Sequence, residues 1–212
     1  MKRRRIIRWI WGGLFSLIVL SSSIPIIWAG EPANSIKAGT DRILDVLRDS
    51  KWKDKSKATE RRKVLRKIAD DYFDWEEMAK RSLALHWAER TPEERKEFVS
   101  LFSDLLERSY IGKIEGYKDE KIPVVGEKID GEYALVETKI VTQREVEVPI
   151  NYKLRKKPSG WLIYDVSIEG VSLVNNYRTQ FNKILSSSSY PELVRKMKLK
   201  QIQESTTSKP SD

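Results

Sequence analysis

Few residues in this chain could carry chemistry, and their types and spacing restrict what it could be. His86 is the single histidine, and there is no cysteine. One imidazole cannot build a histidine-rich metal centre, and no H-E-x-x-H pattern exists. Beside Trp87, near an expected helix end, His86 reads as a surface or capping imidazole. Asp70, Asp71, Asp74, Glu76 and Glu77 bring enough carboxylates together to suggest Ca²⁺. They lack the ligand spacing of a calcium loop, and helix capping accounts for Asp74 and Glu77. Asp165 is the most enzyme-like candidate. Strict alternation puts it on one strand face with Trp161 and Ile163, where a carboxylate in apolar surroundings could act as a general base. No second acid, histidine or nucleophile converges on it, so an ion pair with Arg178 or Arg155, or an exposed strand face, is the plainer reading. Ser172 is no nucleophile elbow, because Val174 stands where that motif needs glycine. Gly112 and Gly116 lie in polar surroundings and form no membrane-helix contact. These residues predict no enzyme, no metal and no cofactor. A catalytic role for Asp165 remains the alternative.

The elements that would position such residues follow from periodicity and capping. Pro32–Leu47 reads as a helix with Ile36, Ile43, Leu44 and Leu47 on one face. Asp49–Lys57 reads as a charged loop, and Thr59–Tyr72 as a second helix burying Val64, Leu65, Ile68 and Tyr72. Asp74 is an N-cap with Glu77 at N3, and Phe73 and Met78 take the staple positions, so a short helix covers Trp75–Leu85. Thr91, Pro92 and Glu94 start another, running to about Tyr117 with Phe98, Leu101, Phe102, Leu105, Leu106 and Ile111 as its stripe. After Gly116 the period becomes two. Lys121–Lys128, Tyr133–Gln143, Glu145–Lys156 and Trp161–Glu169 read as four strands, with Asp130-Gly131 and Pro158-Ser159-Gly160 as turns. Pro149 suggests an edge strand or a bulge. Ser172 caps a helix whose face carries Leu173, Tyr177, Phe181 and Ile184. Pro191 opens a last helix with Leu193, Val194 and Met197. Helices, an antiparallel meander and helices again predict an α+β domain with helices on one face of a curved sheet.

The chain has 212 residues, 40% of them apolar and seven of them Trp, enough for one domain with a core. Lys2, Arg3, Arg4, Arg5 and Arg8 precede the apolar run Ile10–Leu20, and Pro25 leads to the small residue Ala29. This pattern predicts an export signal over residues 1–29, cleaved after Ala29; an uncleaved anchor over Ile6–Ala29 is the rival. The segment holds five of the 40 Lys and Arg residues and no acid, which leaves 35 against 31, a net +4. A mildly basic exported chain argues against a nucleic-acid partner and suits anionic lipid surfaces. Residues 30–202 form the expected domain, and 203–212 a polar tail.

Three segments carry a family resemblance. They are Phe73-Asp74-Trp75-x-x-Met78-Ala79 with Trp87 downstream; Thr91-Pro92-Glu93-Glu94-Arg95-x-x-Phe98 leading to Leu105-Leu106 and Tyr110; and Tyr164-Asp165-Val166-x-x-Glu169-Gly170-Val171-Ser172-Leu173-Val174-x-x-Tyr177-Arg178-x-x-Phe181. Over about Pro32 to Lys200 the chain resembles the MlaC-type periplasmic phospholipid-binding proteins, also called the toluene-tolerance or ABC-transporter auxiliary family. It departs at Ala84, where the family usually has glycine, and at Tyr190-Pro191. The resemblance implies an NTF2-like cone whose four-stranded sheet and helices enclose an apolar cavity. It implies a soluble periplasmic carrier, with phospholipid as cargo rather than cofactor, serving outer-membrane lipid asymmetry. Its implied partners are an inner-membrane ABC transporter complex and an outer-membrane lipoprotein complex, and a monomer is expected. Within such a cavity, alternation places Val136, Ile140, Val148, Ile150, Tyr152, Tyr164 and Val166 inward, and helical spacing places Phe102, Leu106 and Phe181 opposite them. A ligand-free protein-binding adaptor with a solid core is the third reading.

Overall fold

The computed structural model describes residues 30–117 and 120–199. The export signal expected over 1–29 and the tail expected over 203–212 lie outside the described residues. Four helices come first: α1 (Glu31–Arg48), α2 (Ala58–Tyr72), α3 (Trp75–Leu83) and α4 (Pro92–Glu115). Five strands follow: β1 (Val124–Asp130), β2 (Tyr133–Val141), β3 (Glu147–Lys157), β4 (Gly160–Ile168) and β5 (Val171–Ser172). Then come α5 (Leu173–Ser187) and α6 (Tyr190–Lys198).

Local chemistry starts the helices where the side chains dictate. The Thr91 hydroxyl accepts the Glu94 N–H at 3.2 Å, and the Glu94 carboxylate accepts the Thr91 N–H at 2.9 Å, a reciprocal pair that opens α4. Asp74 accepts the Glu77 N–H at 3.1 Å and opens α3. That helix stops at Leu83, two residues short of the expected Leu85, because Ala84 adopts φ 52° and ψ −123°. An L side chain is strained in that backbone region, which glycine occupies freely. The stretch expected as a charged loop holds two single turns of 3₁₀ helix, begun by the Asp49 and Asp54 carboxylates.

The sheet is antiparallel throughout, in the order β1-β2-β3-β4-β5. It has five strands rather than the expected four. Glu169 and Gly170 both take positive φ, 50° and 82°, and turn the chain so that Ser172 pairs with Ser167 and Val171 with Ile168. Pro149 does not mark an edge, since β3 lies in the middle. On one side Pro149 faces Lys139. On the other, the N–H of Glu169, the first residue past β4, donates to its carbonyl at 2.9 Å. The proline thus gives only its carbonyl at the last rung beside β4, and the missing N–H falls at the end of the β3–β4 ladder rather than within it.

A register shift interrupts that ladder. Tyr152 faces Val166 and Lys153 faces Asp165, but Leu154 faces Ile163, so Tyr164 is an extra, bulged residue. The bulge reverses the alternation. Ile163 and Val166 share one face of the sheet, while Asp165 turns to the other with Lys153. Strict alternation had put Asp165 with Trp161 and Ile163; one inserted residue overturns that placement.

Candidate binding site between sheet and helices

The central strands present one apolar face. Register aligns Ala134, Val136, Thr138 and Ile140 on β2 with Leu154, Tyr152, Ile150 and Val148 on β3, and these with Ile163, Val166 and Ile168 on β4. All but Thr138 belong to, or pack against, one apolar cluster that α1, α3, α4, α5 and α6 complete. Its helical part is a knot of rings. Phe102 meets Tyr177 edge-on at 5.6 Å and Phe181 at 5.9 Å, and Phe98 meets Phe181 at 5.6 Å. Such edge-to-face pairs add about 0.5–1.5 kcal/mol each beyond area burial.

All ten predicted lining residues belong to this cluster or pack against it. Phe102, Leu106, Val136, Ile150, Val166 and Phe181 are buried, and Ile140, Val148, Tyr152 and Tyr164 are half-buried beside them. The strip is graded. It is buried at Val136, Ile150 and Leu154, and half-exposed where Ile140 pairs with Val148 and where Ile168 ends β4. Tyr164, the bulged residue, also lies edge-on to Tyr133 at 6.0 Å, beneath the Arg81 guanidinium at 4.3 Å.

Two hydroxyls sit within the strip. Thr138 is 1% exposed, and its hydroxyl donates to the Ile150 carbonyl at 3.0 Å. Burial pushes the Tyr152 phenol up to about 12, and the nearby Thr138 hydroxyl pulls the other way. The phenol is therefore neutral at physiological pH. Parity with Val136 and Ile140 would have found Thr138; its polarity kept it out of the expected lining. Two surface hollows, one of about 530 Å³ between α4 and α6 and one of about 540 Å³ beside α1 and β4, touch none of the predicted lining residues.

The chemistry-bearing residues are engaged elsewhere. Asp165, 4% exposed, accepts the Ser172 hydroxyl at 2.7 Å and the Val174 N–H at 3.2 Å, with the Lys153 ammonium at 3.3 Å. Ser172 in turn accepts the Asn175 N–H at 3.1 Å. Asp165 is thus the outer half of a two-layer cap on α5. Its cation is Lys153, not Arg178 or Arg155. Arg178 donates to the Arg81 carbonyl, and Arg155 lies over the Tyr133 ring. In the acidic cluster, Asp70 accepts from Arg66 and from the Trp75 indole, Asp71 pairs with Arg42, and Glu77 with Arg81. The His86 Nε2 lies 3.3 Å from the Asn182 side-chain oxygen. Among the described residues no group of three or more His, Cys, Asp or Glu side chains is arranged to hold a metal ion.

Over 167 residues the chain is 23% identical to the intermembrane phospholipid transport system binding protein MlaC of Haemophilus influenzae, covering 76% of this chain and 78% of that one. It is 24% identical over 169 residues to the toluene tolerance protein ttg2D of Pseudomonas putida, covering 78% and 79%. The fold matches that of a phospholipid-binding protein from Ralstonia solanacearum, solved in complex with a phospholipid. The TM-score is 0.72 at 20% identity, over 80% of this chain and 96% of that one. Residues 37–199 match the family model described as MlaC protein, and the chain belongs to that family.

Proposed function

We propose that this protein is a phospholipid carrier that holds acyl chains between the apolar face of β2–β4 and helices α4 and α5. The observation that carries the reading is the strip itself: three paired strands whose inward positions between the Ala134–Leu154 pair and the Ile140–Val148 pair are apolar except for the Thr138 and Tyr152 hydroxyls. A similar fold crystallised with a phospholipid supports it, as does the phospholipid transport system named for a relative. The carboxylate that an enzymatic reading needs, Asp165, is committed to a helix cap. In this reading the domain spans 30–202 as an NTF2-like cone, works as a periplasmic monomer, and exchanges lipid with an inner-membrane ABC transporter complex and an outer-membrane lipoprotein complex. That traffic maintains outer-membrane lipid asymmetry.

Physical chemistry sets the mechanism. Each buried methylene is worth ~0.8 kcal/mol, so two acyl chains represent roughly 20–25 kcal/mol against release into water. Transfer must then pass directly to another apolar environment in a docked partner. The lining side chains pack on one another, so lipid enters by parting the helices from the sheet. The half-exposed end at Ile140, Val148 and Ile168 is where the strip already meets solvent. Thr138 and Tyr152 lie next along the strip and offer hydroxyls to the ester region of a lipid.

The test is mass spectrometry of an organic extract of protein purified from the periplasm. Stoichiometric phospholipid is expected. A lipid-free protein that also fails to take up phospholipid from vesicles would refute the carrier reading and leave the solid-core adaptor.

A further inference from the structure

We infer that removal of the leader creates an ion pair that pins α1 to the sheet, between the new α-ammonium of Gly30 and the carboxylate of Glu127. The inference rests on the exported, processed reading above and concerns what processing does to the fold.

Glu127 comes from β1, 97 residues further along the chain. One of its oxygens lies 2.6 Å from the Gly30 nitrogen, and the other 2.8 Å from the Ala33 nitrogen. Gly30 is the N-cap of α1, with no side chain of its own to cap the helix, and Glu127 supplies the missing acceptor. The glycine brings the Glu127 carboxylate close by leaving it room, not by its backbone conformation. Its φ is −72°, open to any residue, yet a Cβ there would sit 2.5 Å from the Glu127 Oε2. Glu127 is only half-exposed, and among the described residues it pairs with no lysine or arginine. The neighbouring Glu31 does not compete. Its carboxylate faces the Trp161 indole N–H at 3.3 Å and the Lys156 ammonium at 3.6 Å. A half-exposed carboxylate with no lysine or arginine partner among the described residues therefore lies against the residue that follows Ala29, where the sequence expects cleavage.

Processing changes the charge at that nitrogen. Water adds across the Ala29–Gly30 peptide bond under a membrane-bound signal peptidase. The hydroxyl goes to the Ala29 carbonyl carbon, and the Gly30 nitrogen leaves with a hydrogen and takes up a further proton from solvent. A neutral amide N–H becomes an ammonium at hydrogen-bond distance from a carboxylate, which roughly doubles the strength of such a bond. The gain acts where it matters for cargo. Ala33 and Ile36 of α1, 1% and 4% exposed, belong to the apolar cluster, so pinning the start of α1 closes that end of the interior.

The test has two readouts. Intact mass and N-terminal sequencing of periplasmic protein should give a chain beginning at Gly30. A start elsewhere would overturn the assignment, and a retained leader would overturn the processed reading itself. Urea unfolding is then compared for chains beginning at Gly30 and chains with one extra serine before it, each with Glu127 or Glu127→Gln. The extension should lower the unfolding free energy by an amount equal to about fivefold in the equilibrium constant when Glu127 is present, and by less than twofold with glutamine. Equal losses in both backgrounds, in a chain shown to start at Gly30, would overturn the ion pair while leaving the export reading intact.

Discussion

Replacing Asp165 separates a structural carboxylate from a catalytic one. In Asp165→Ala the Ser172 hydroxyl and the Val174 N–H lose a charged acceptor in a site only 4% exposed. Hydrogen bonds to charged groups contribute about 1.5–3 kcal/mol each, and an N-cap about 1 kcal/mol. The two overlap at one helix end, and Lys153, 45% exposed, adds little. A loss of about 3–4 kcal/mol is expected. Asp165→Asn keeps an oxygen for Val174 but loses the charge that favours the helix N-terminus and turns a donor towards Ser172. Its expected loss is about 1–2 kcal/mol. For a domain of this size 1 kcal/mol shifts Tm by roughly 2–4 °C, so the alanine variant should melt about 6–16 °C lower and the asparagine variant about 2–8 °C lower. Calorimetry measures both, and native mass spectrometry measures phospholipid carried at 20 °C. Graded destabilisation with unchanged lipid load is the expected result. An alanine variant as stable as the parent would refute the cap. A fully stable asparagine variant that loses a chemical turnover would refute the structural reading altogether.

Val148→Glu, at the half-exposed end of the strip, should reduce co-purified phospholipid severalfold while lowering Tm by only a few degrees, whereas Ile150→Glu, 6% exposed, should cost several kcal/mol; equal unfolding by both would mean a solid core. Ala84→Gly should raise stability by about 0.5–1 kcal/mol, read as Tm, because the strain at φ 52° exceeds the added chain entropy. The folded state holds the Tyr152 proton to about pH 12, against about 10 when unfolded, so it binds more protons between these values and stability falls as pH rises through them. Tyr152→Phe should therefore lose ~2–3 kcal/mol less between pH 10 and 12 in urea titrations. Transfer of a fluorescent phospholipid to a membrane-embedded partner should slow as salt rises, with negligible loss into buffer; rapid loss into buffer alone would sink docked transfer.

Helix starts were legible because a cap is written within four residues: Asp74 with Glu77, Thr91 with Glu94, and Ser172 before Leu173 all stand where their side chains placed them. The inward parity of β2 and β3 was legible for the same local reason. Whatever depends on pairing between strands was not. Tyr164 and Asp165 follow perfect alternation on paper, and only the register with β3 reveals the bulge that turns Asp165 off the apolar face. The two-residue β5 is too short to carry a period. Glu127 reads as an ordinary charged strand residue, because the amide groups it accepts lie nearly a hundred positions away. Pro149 misled because its meaning depends on where a neighbouring strand happens to end.

Every strand in the sheet is hydrogen-bonded only to strands next to it in the chain. Such a sheet can zip from turn to turn with short loops to close, a fast route compared with distant pairing. The helix made first is the one that waits longest. α1 has no capping side chain of its own, and its acceptor on β1 is synthesised about a hundred residues after it. A chain that emerges amino end first therefore has the start of α1 uncapped until β1 has been made. Late closure of α1 then becomes the step that completes the fold, and variants at Glu127 should slow the last phase of refolding without touching the sheet's own rate.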